Sequence, residues 1–204
     1  MFFSIYSTLV DPFLRKVRVF TPKFAGMKIG DKVLDICCGT GDQVFYYTKK
    51  GIVATGVDLN PEMIKIAERN KRKQDLKNAL FQIADAQNLP FKDNSFDYIS
   101  ISFGLHEKER TVRDKIISEM KRAIKKKGNL IFIDFQVPFS KNFYSRFIKI
   151  VEYLAGRDHF RNFKDYIKQG GLDEILKRNQ LQIEKRSYLK QKTIVIIKTK
   201  SEID

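Results

Sequence analysis

Two aspartates follow apolar, strand-like stretches of the chain, at positions where a carboxylate could bind a nucleoside. Asp58 ends the second such stretch, and Asp85 follows the third. A carboxylate only accepts hydrogen bonds, so Asp58 suits the two hydroxyls of a ribose and Asp85 the exocyclic amino group of an adenine. The alternatives left open are that Asp58 compensates the dipole of the next helix and that Asp85 starts a turn.

A glycine-bearing turn precedes these aspartates. Gly39 and Gly41 allow positive φ angles and leave no side chain between backbone and ligand, although glycine turns also follow strands for packing reasons. A dinucleotide fingerprint needs a third glycine, and Val44 stands there instead. Asp35 and Asp42 flank the turn and would repel a pyrophosphate, whereas they suit a cationic ammonium and sulfonium. The turn therefore favours S-adenosylmethionine over NAD.

The catalytic candidates are the two histidines of the chain, because a base with a pKa near 7 is best for deprotonating a carbon or phenol acceptor. We expect His106 at the mouth of the pocket, with a surface-loop histidine as the alternative. His159 is the second candidate, with loop packing or pairing with Asp158 as the alternative. Cys37 and Cys38 are expected to be small core residues, and no metal site is predicted.

The elements that position these residues alternate between strand and helix, which predicts a parallel sheet with helices on both faces. Strands are predicted over 32–37, 52–59, 79–85, 96–103 and 129–135. Helices are predicted over 42–50, from an Asn60 cap to Lys73, and over 109–126 with Gly128 as the stop. Two or three further helices should fill 141–179, broken at Gly170-Gly171. Strands 181–189 and 193–200 are joined by three residues, which requires them to be antiparallel.

The first twenty residues carry an apolar stripe at three- and four-residue spacing, which predicts a helical face. Pro12 should break this stretch into two short helices. We favour docking of the stripe on the core, and leave open a lid over a pocket or an interfacial helix on a membrane.

At this point the sequence resembles a known family, the class I S-adenosylmethionine-dependent methyltransferases. Residues 33–42 (VLDICCGTGD) resemble their first motif, and 56–67 resemble the pattern G-x-D-x-[NS]-x-x-M-[IL]-x-x-A. Residues 85–97 are similar to the block D-A-x-x-L-P-F-x-D-x-S-F-D. Residues 102–105 (SFGL) and the later Lys127-Gly128 resemble S-F-G-L-R-N and L-K-P-G-G of the ubiquinone/menaquinone-biosynthesis branch. The resemblance covers about residues 25–136.

The resemblance implies a Rossmann-like, doubly wound, seven-stranded and mostly parallel sheet with an antiparallel last strand. It also implies S-adenosylmethionine as the cofactor. By position, the glycine turn with Thr40 would line the methionine moiety, Asp58 the ribose, Asp85 with Ala86 the adenine, and Ser102 the reacting methyl group. The full set of expected cofactor-binding residues is Asp35, Cys37, Gly39, Thr40, Gly41, Asp58, Leu59, Asp85, Ala86 and Ser102.

Three positions depart from the family pattern. Cys37 stands where many relatives have Gly or Ala, and Lys126-Lys127-Gly128-Asn129 stands where K-P-G-G is usual. His106-Glu107 replaces the Arg-Asn of the branch, at the position expected to touch the acceptor. This last departure leaves the quinone acceptor open and does not affect the cofactor.

Composition sets the remaining expectations. The 204 residues are 43% hydrophobic and 31% charged, which excludes general disorder and fits one methyltransferase domain. Within it we expect an N-terminal helical lid (1–24), a cofactor-binding core (25–136), a helical substrate cover (137–180) and C-terminal antiparallel strands (181–204). Neither a membrane-spanning run nor a secretory pattern is seen, so a cytoplasmic protein is expected.

The net charge of +15 favours anionic partners. Together with this charge, the resemblance implies methyl transfer to a small or lipidic acceptor, similar to a quinone precursor or a phospholipid, with peripheral association with an anionic membrane surface left open. An RNA methyltransferase ranks lower, because no nucleic-acid-binding motif is present. A non-catalytic nucleotide-fold binding protein is the alternative from a different class, and a homo-oligomer is also left open.

Overall fold

The structure, a computed structural model, describes residues 11–200, with side chains from Leu14 onward. The first of the two predicted N-terminal helices lies outside the described residues. The helices are α1 (Asp11–Ala25), α2 (Asp42–Thr48), α3 (Pro61–Lys73), α4 (Arg110–Ala123), α5 (Phe143–Leu154), α6 (Arg157–Lys168) and α7 (Gly171–Arg178). The strands are β1 (Lys32–Ile36), β2 (Val53–Asp58), β3 (Ala79–Ile83), β4 (Phe96–Ser102), β5 (Ile124–Phe135), β6 (Ile183–Leu189) and β7 (Ile194–Lys200).

The described strands form one sheet of seven in the order β3-β2-β1-β4-β5-β7-β6. Strands β1 to β5 pair in parallel, whereas β7 is antiparallel to both β5 and β6. The predicted Rossmann-like, mostly parallel sheet with an antiparallel end is confirmed. The strand order reverses between β1 and β4, and ligands of such sheets bind in the crevice outside the carboxyl ends of the strands at that point.

The core lies on the central strands, which are buried on both faces. Leu34, Ile99, Ile131, Phe132 and Ile196 are fully shielded from solvent. Parallel strands covered on both faces are near-continuous apolar runs rather than alternating ones, and this explains stretches such as 130–133. The sheet therefore forms a rigid base for the loops at its carboxyl edge.

Helix α1 docks on the start of α2 through Arg18. Pro22 lies inside α1 and lacks the N–H that would otherwise bond the Arg18 carbonyl, and Gln43 Nε2 donates to that carbonyl instead at 3.3 Å. The Arg18 guanidinium lies 3.6 Å from the Asp42 carboxylate. Pro12 lies in the first described turn of α1, and the predicted break before it stays a prediction because residues 1–10 lie outside the described residues.

One predicted boundary is wrong. The helix predicted over 109–126 ends at Ala123, and Gly128 lies inside β5 rather than stopping a helix. Ile124 already pairs with Phe96, and a register shift follows before Tyr98 pairs with Asn129. A Cβ added to Gly128 would lie 2.6 Å from the Ile124 side chain, so this glycine permits a close approach within the strand.

The three helices α5 to α7 confirm the prediction for 141–179, and Gly170 and Gly171 break α6 from α7 with φ angles of 94° and 68°. The predicted strands at the end of the chain are also antiparallel, and residues 190–192 join them. Among the helices of residues 11–200, none combines the length and apolar character needed to cross a bilayer.

Candidate functional site

The residues singled out in the sequence lie at or after the ends of β1, β2, β3 and β4, except His159, which lies in α6. We call residues 37–42 the glycine loop, which links β1 to α2 beside the point where the strand order reverses. The segment that follows β4 packs against this loop, since a Cβ added to Gly104 would lie 3.0 Å from the Cys37 Cβ. The crevice is therefore bordered by the glycine loop on one side and by residues after β4 on the other.

Different physical causes favour glycine at the two glycine positions of the loop. Gly41 has a φ of 85°, and a Cβ added there would lie 2.5 Å from the Phe81 ring, so packing excludes a side chain. Gly39 has a φ of 54°, and an added Cβ would meet nothing within 4 Å. Packing against the chain does not require glycine at position 39, and the open space on that side is available to a ligand.

Asp58 connects the end of β2 to the glycine loop. Its Oδ2 accepts a hydrogen bond from the Gly39 N–H at 2.9 Å, and its Oδ1 accepts from the Asn60 N–H at 2.9 Å. The cap bond of α3 is made by Asn60, whose side chain accepts from the Glu62 N–H at 2.9 Å, as predicted. Each oxygen of Asp58 keeps acceptor capacity for a ligand hydroxyl. Leu59, 66% exposed, adds apolar surface beside it.

Asp35 lies beneath this surface rather than on it. It is buried and accepts a hydrogen bond from Ser100 Oγ at 2.6 Å, and Ser100 Oγ in turn accepts from the Tyr47 hydroxyl at 3.1 Å. Burial raises the pKa of Asp35 to about 7, although the Ser100 hydrogen bond and the charge of Arg18 act in the opposite direction. This carboxyl group therefore changes its charge near neutral pH.

Two further predicted residues differ in how they are partnered. The Ser102 hydroxyl, at the end of β4, is buried and has no hydrogen-bond partner among the residues that the structure describes. A buried hydroxyl without a partner costs about 1–3 kcal/mol, so a ligand that bonded it would recover that energy. Asp85 accepts from the Gln87 N–H at 2.8 Å, which is the turn contact left open as its alternative role, and Ala86 packs on the core.

The two cysteines form the start of the loop. Cys37 has a φ of 55°, a left-handed conformation that glycine adopts at no steric cost. Burial raises the pKa of Cys37 to about 12 and that of Cys38 well above its usual value, so both thiols are protonated and poorly nucleophilic at neutral pH.

His106 does not lie at the mouth of a pocket, and it is not a surface-loop residue either. Its side chain is only 4% exposed, and its Nδ1 lies 2.7 Å from Asp134 Oδ1. Its Nε2 lies 3.4 Å from Glu152 Oε2. The Asp134 carboxylate also accepts from the His106 N–H at 3.2 Å, which draws the segment after β4 down onto β5. That contact explains why the expected position was wrong.

His159 lies in helix α6, not in a loop, and faces His106. Its Nε2 lies 2.5 Å from Glu152 Oε2 and its Nδ1 3.4 Å from Glu107 Oε2. Asp158, the partner considered from the sequence, pairs with Arg161 instead. The two histidines are therefore brought together around one carboxylate. We call His106, His159, Glu152, Asp134 and Glu107 the histidine cluster.

The carboxylates of the cluster control the charge of its core. Burial alone would lower the pKa of His106, but Asp134 and Glu152 outweigh it and hold that pKa well above 6.5. Burial would raise the pKa of Glu152, yet the two histidines lower it to about 2. The two carboxylates therefore favour the protonated ring of His106, which suits a donor that orients an acceptor better than a base.

Three residues that organise the histidine cluster and the segment after β4 were not predicted from the sequence: Asp134, Glu152 and Arg113. Asp134 is a lone charge in the apolar run 130–135, and that signal could have been found. Arg113 is fully buried and donates to the Leu105 and Asn162 carbonyls at 2.9 and 3.0 Å. It lies in what reads as a solvated basic helix, so nothing in the sequence marks it as the group that holds the segment after β4.

Comparisons with known proteins agree with this geometry. The model of the ubiE/COQ5 methyltransferase family matches residues 11–169. The chain is 34% identical over 160 residues to a demethylmenaquinone methyltransferase of Listeria welshimeri, an alignment that covers 74% of this chain and 66% of the relative. The chain thus spans just under two thirds of that relative's length.

Solved structures share the fold. A SAM-dependent methyltransferase of Aquifex aeolicus superimposes with a TM-score of 0.67 at 20% identity, covering 89% of this chain and 88% of that one. Phosphoethanolamine N-methyltransferase 2 of Haemonchus contortus, in complex with S-adenosyl-L-methionine, gives 0.65 at 23% identity, covering 86% and 38%. At these identities the likeness concerns the fold, and the family rests on the sequence match. The chain belongs to the ubiE/COQ5 methyltransferase family.

Proposed function

We propose that this chain transfers the methyl group of S-adenosylmethionine to a small, quinone-related aromatic acceptor. The observation that carries the proposal is the buried, unpartnered Ser102 hydroxyl beside the glycine loop, among the described residues. It lies at the end of β4, next to the point where the strand order reverses, and ligands of this fold bind there. The match to the ubiE/COQ5 methyltransferase family supports the same cofactor.

The residues present fit that cofactor. Asp58 would accept from the ribose hydroxyls, and the space beside Gly39 would take the methionine moiety together with Thr40 and Gly41. Leu59, Asp85 and Ala86 would border the adenine. Asp35 and Asp42 would attract the positive charges of the cofactor. Arg18 balances Asp42 in this structure, so part of that attraction is already offset.

The chain would act mainly by holding the reactants in line. When bound, S-adenosylmethionine supplies a methyl group activated by a sulfonium, so the protein has to bind, orient and exclude water. Correct alignment alone lowers such a barrier by about 7–11 kcal/mol. Residues 137–180 would form the cover that excludes water. His106 and His159 would orient the acceptor through its oxygen, since Asp134 and Glu152 favour the protonated ring of His106 as a donor.

Aromatic side chains beside the histidine cluster support the proposed class of acceptor. The rings of Phe103, Phe135 and Phe163 lie within 5.3 to 5.8 Å of each other in successive pairs, and Phe135 contacts His106 at 4.7 Å. An apolar, aromatic wall next to a charged polar cluster suits a flat ring that bears oxygen. The Listeria relative is named for demethylmenaquinone, which is such a molecule.

A lipidic acceptor would also account for an exposed apolar face on α5. Phe143, Ile150, Tyr153 and Leu154 are 58 to 75% exposed there, and the chain carries a net charge of +15. Such a face would insert at the surface of an anionic membrane. The test is cosedimentation of Ile150→Asp with anionic vesicles, and the matched control is Ile29→Asp, which changes another exposed isoleucine. Equal binding of both variants would contradict the proposed face.

Calorimetry with S-adenosylmethionine and S-adenosylhomocysteine tests the cofactor site. Asp58→Ala should weaken both ligands by about 1.5–3 kcal/mol, the range for hydrogen bonds to charged groups. The matched control is Glu62→Ala, which removes an exposed acid from the first turn of α3. It should leave both affinities unchanged. Unaltered binding by Asp58→Ala would remove Asp58 from the site. Failure of the parent chain to bind either ligand would overturn the cofactor.

Transfer of labelled methyl groups tests the acceptor. Reduced prenylated naphthoquinone, a phospholipid and an RNA would be offered separately with S-adenosylmethionine carrying a labelled methyl group. Label should enter the naphthoquinol alone. Label in the phospholipid or the RNA instead would replace the acceptor class and leave the cofactor site standing.

A further inference from the structure

The histidine cluster brings three side chains with metal-binding atoms together from three parts of the fold. His106 follows β4, Glu152 lies in α5 and His159 in α6. One ligand atom from each lies within 4.8 Å of the others. Both Nε2 atoms face the same carboxylate oxygen, Glu152 Oε2, at 3.4 and 2.5 Å. In the part of the chain that the structure describes, this is the one group of three such residues with that convergence.

The opposite nitrogen of each ring faces a further carboxylate. His106 Nδ1 lies 2.7 Å from Asp134 Oδ1, and His159 Nδ1 lies 3.4 Å from Glu107 Oε2. Metal-binding histidines almost always donate this second ring N–H to a carboxylate, a carbonyl or water, which fixes the tautomer and aims Nε2 at the ion. His106 has this arrangement as a hydrogen bond to Asp134, and at His159 a carboxylate lies near the corresponding nitrogen. The outer bond at His106 is a second observation, independent of the three converging atoms.

From these contacts we propose that His106 Nε2, His159 Nε2 and Glu152 Oε2 bind a divalent transition-metal cation, and we take Zn²⁺ as the ion to test. Two imidazoles and one carboxylate are a known ligand set of Zn²⁺ in sites with an open fourth position. A tetrahedral ion with bonds of about 2.0–2.1 Å needs ligand atoms about 3.3 Å apart. The pair His106–Glu152, at 3.4 Å, already has that separation.

The pair His159–Glu152 is too close for two ligands of one ion, and it must open by almost 1 Å. His159 can move to allow this, because its side chain is 25% exposed whereas that of His106 is 4% exposed. The same exposure gives the ion a route of entry. Lys108 pairs with Glu107 at 2.6 Å and moderates the negative charge on that side.

The surroundings of the three ligands suit a site with an open position. Phe135 and Phe163 pack on the His106 ring at 4.7 and 6.0 Å, which keeps that side apolar. A fourth ligand would be water or an oxygen of a bound molecule, since the chain supplies three. The inference concerns metal binding itself and holds whether or not the proposed methyl transfer takes place.

The experiment uses the full, untagged chain after treatment with a chelator. Zn²⁺ is titrated in a calorimeter, and Co²⁺ is added as a spectroscopic probe whose visible absorption reports its ligands. One ion per chain should bind, with a Co²⁺ spectrum free of thiolate charge-transfer bands. Absence of binding at one ion per chain would overturn the proposal, and so would thiolate bands that disappear when Cys37 and Cys38 are changed to Ser.

Variants separate the site from general surface binding. Glu152→Gln should abolish the binding of one ion per chain, while Glu109→Gln, which changes an exposed acid, is the matched control and should retain it. Asp134→Asn keeps all three ligands and removes the carboxylate that His106 Nδ1 contacts, together with the acceptor of the His106 and Phe135 backbone N–H groups. It should weaken metal binding by about ten- to a hundredfold. Undiminished binding by both Glu152→Gln and Asp134→Asn would refute the site.

Loss of binding through misfolding is recognised separately. Each variant is unfolded in urea without metal and then with saturating Zn²⁺. The parent chain should be stabilised by the ion because it binds the folded state, and Asp134→Asn should be stabilised less. A folded Asp134→Asn chain with parental metal affinity would count against the outer carboxylate. No methyl acceptor or cofactor is added, so this outcome is independent of the proposed function.

Discussion

The glycine loop and the histidine cluster lie at the same edge of one sheet, but different interactions hold them. The loop is shaped by backbone, with three left-handed residues and an Asp58 that accepts two backbone N–H bonds. The cluster is held by side chains that meet from β5, α5, α6 and the segment after β4. The loop uses residues close in sequence, whereas the cluster joins positions up to 53 apart, from His106 to His159.

This difference indicates how a substitution in the glycine loop or in the histidine cluster would affect the rest of that site. A backbone-shaped loop tolerates few side chains but depends little on distant helices. A cluster of buried charges is costly unless every member keeps its partner, so one substitution disturbs the whole. The departures from the family pattern fall on both sides, since Cys37 lies in the glycine loop and His106-Glu107 in the cluster, while the acid and glycine positions of the loop are kept.

The largest expected effect falls on the cluster side, through Arg113. Arg113→Ala removes a fully buried cation and leaves the Leu105 and Asn162 carbonyls without its N–H groups. We expect a loss of about 3–5 kcal/mol in the free energy of unfolding, because each carbonyl left without a partner costs about 1–3 kcal/mol and the buried side chain leaves a cavity. Urea unfolding measures it, with the exposed Arg110→Ala as the control. A loss below about 1 kcal/mol would mean that the side chains do not hold this region.

The next effect is a pH dependence on the loop side, through Asp35. Its folded pKa is about 7 against 3.8, so the folded state binds a proton more tightly and stability falls as pH rises through this range. The groups that act on it are Ser100 and Arg18, which lower its pKa, and Asp58, which raises it. Between pH 5 and pH 8.5 the parent chain should lose about 3 kcal/mol of its free energy of unfolding. Asp35→Asn should not show this loss, because its side chain cannot titrate.

Urea unfolding of the parent and Asp35→Asn at several pH values gives the comparison. Asp75→Asn, which removes another acid outside the buried network, is the control and should follow the parent. Curves of parent and Asp35→Asn that run parallel across this range would show that Asp35 is charged in the fold at all of these pH values.

A third prediction separates the two glycines of the loop. Gly41→Ala places a methyl 2.5 Å from the Phe81 ring and should cost about 2–3 kcal/mol, since overpacking adds to left-handed strain. Gly39→Ala meets nothing within 4 Å and should cost only about 1–2 kcal/mol from strain. Gly39→Ala should nevertheless weaken the binding of S-adenosylmethionine, as measured by calorimetry. Equal losses in the free energy of unfolding for both variants, together with unchanged cofactor binding by Gly39→Ala, would contradict the roles assigned to the two glycines.

The smallest expected effects compare one helix cap from each side. Asn60 caps α3 beside the loop, and Asn142 caps α5, which carries Glu152. Asn142 also donates to the Gln191 carbonyl and to Thr193 Oγ1, at 3.2 and 3.1 Å. Asn60→Ala should therefore cost about 1 kcal/mol and Asn142→Ala about 2 kcal/mol in urea unfolding. A greater loss at Asn60 would show that the α5 cap is not tied to the C-terminal hairpin.

Local patterns in the sequence were sufficient for most of the fold. The alternation of apolar runs and helix signals predicts the sheet, and the three-residue link at 190–192 predicts its antiparallel end. The Asn60 cap and the end of α3 at Lys73 were also predicted, because the bonds of a helix terminus are made by near neighbours. The end of α4 was missed, since the pairing of Ile124 with Phe96 is a distant contact.

The sequence by itself determined the glycine turn, the acids that follow β2 and β3, and therefore the place where a cofactor should bind. Only the tertiary structure decided that Asp35 is buried, that Ser102 lacks a partner and that His106 meets His159 across Glu152. The physical reason is the range of the interactions. Turn geometry and capping depend on neighbours within a few residues, whereas burial and the pairing of distant charges exist only after the helices have packed on the sheet.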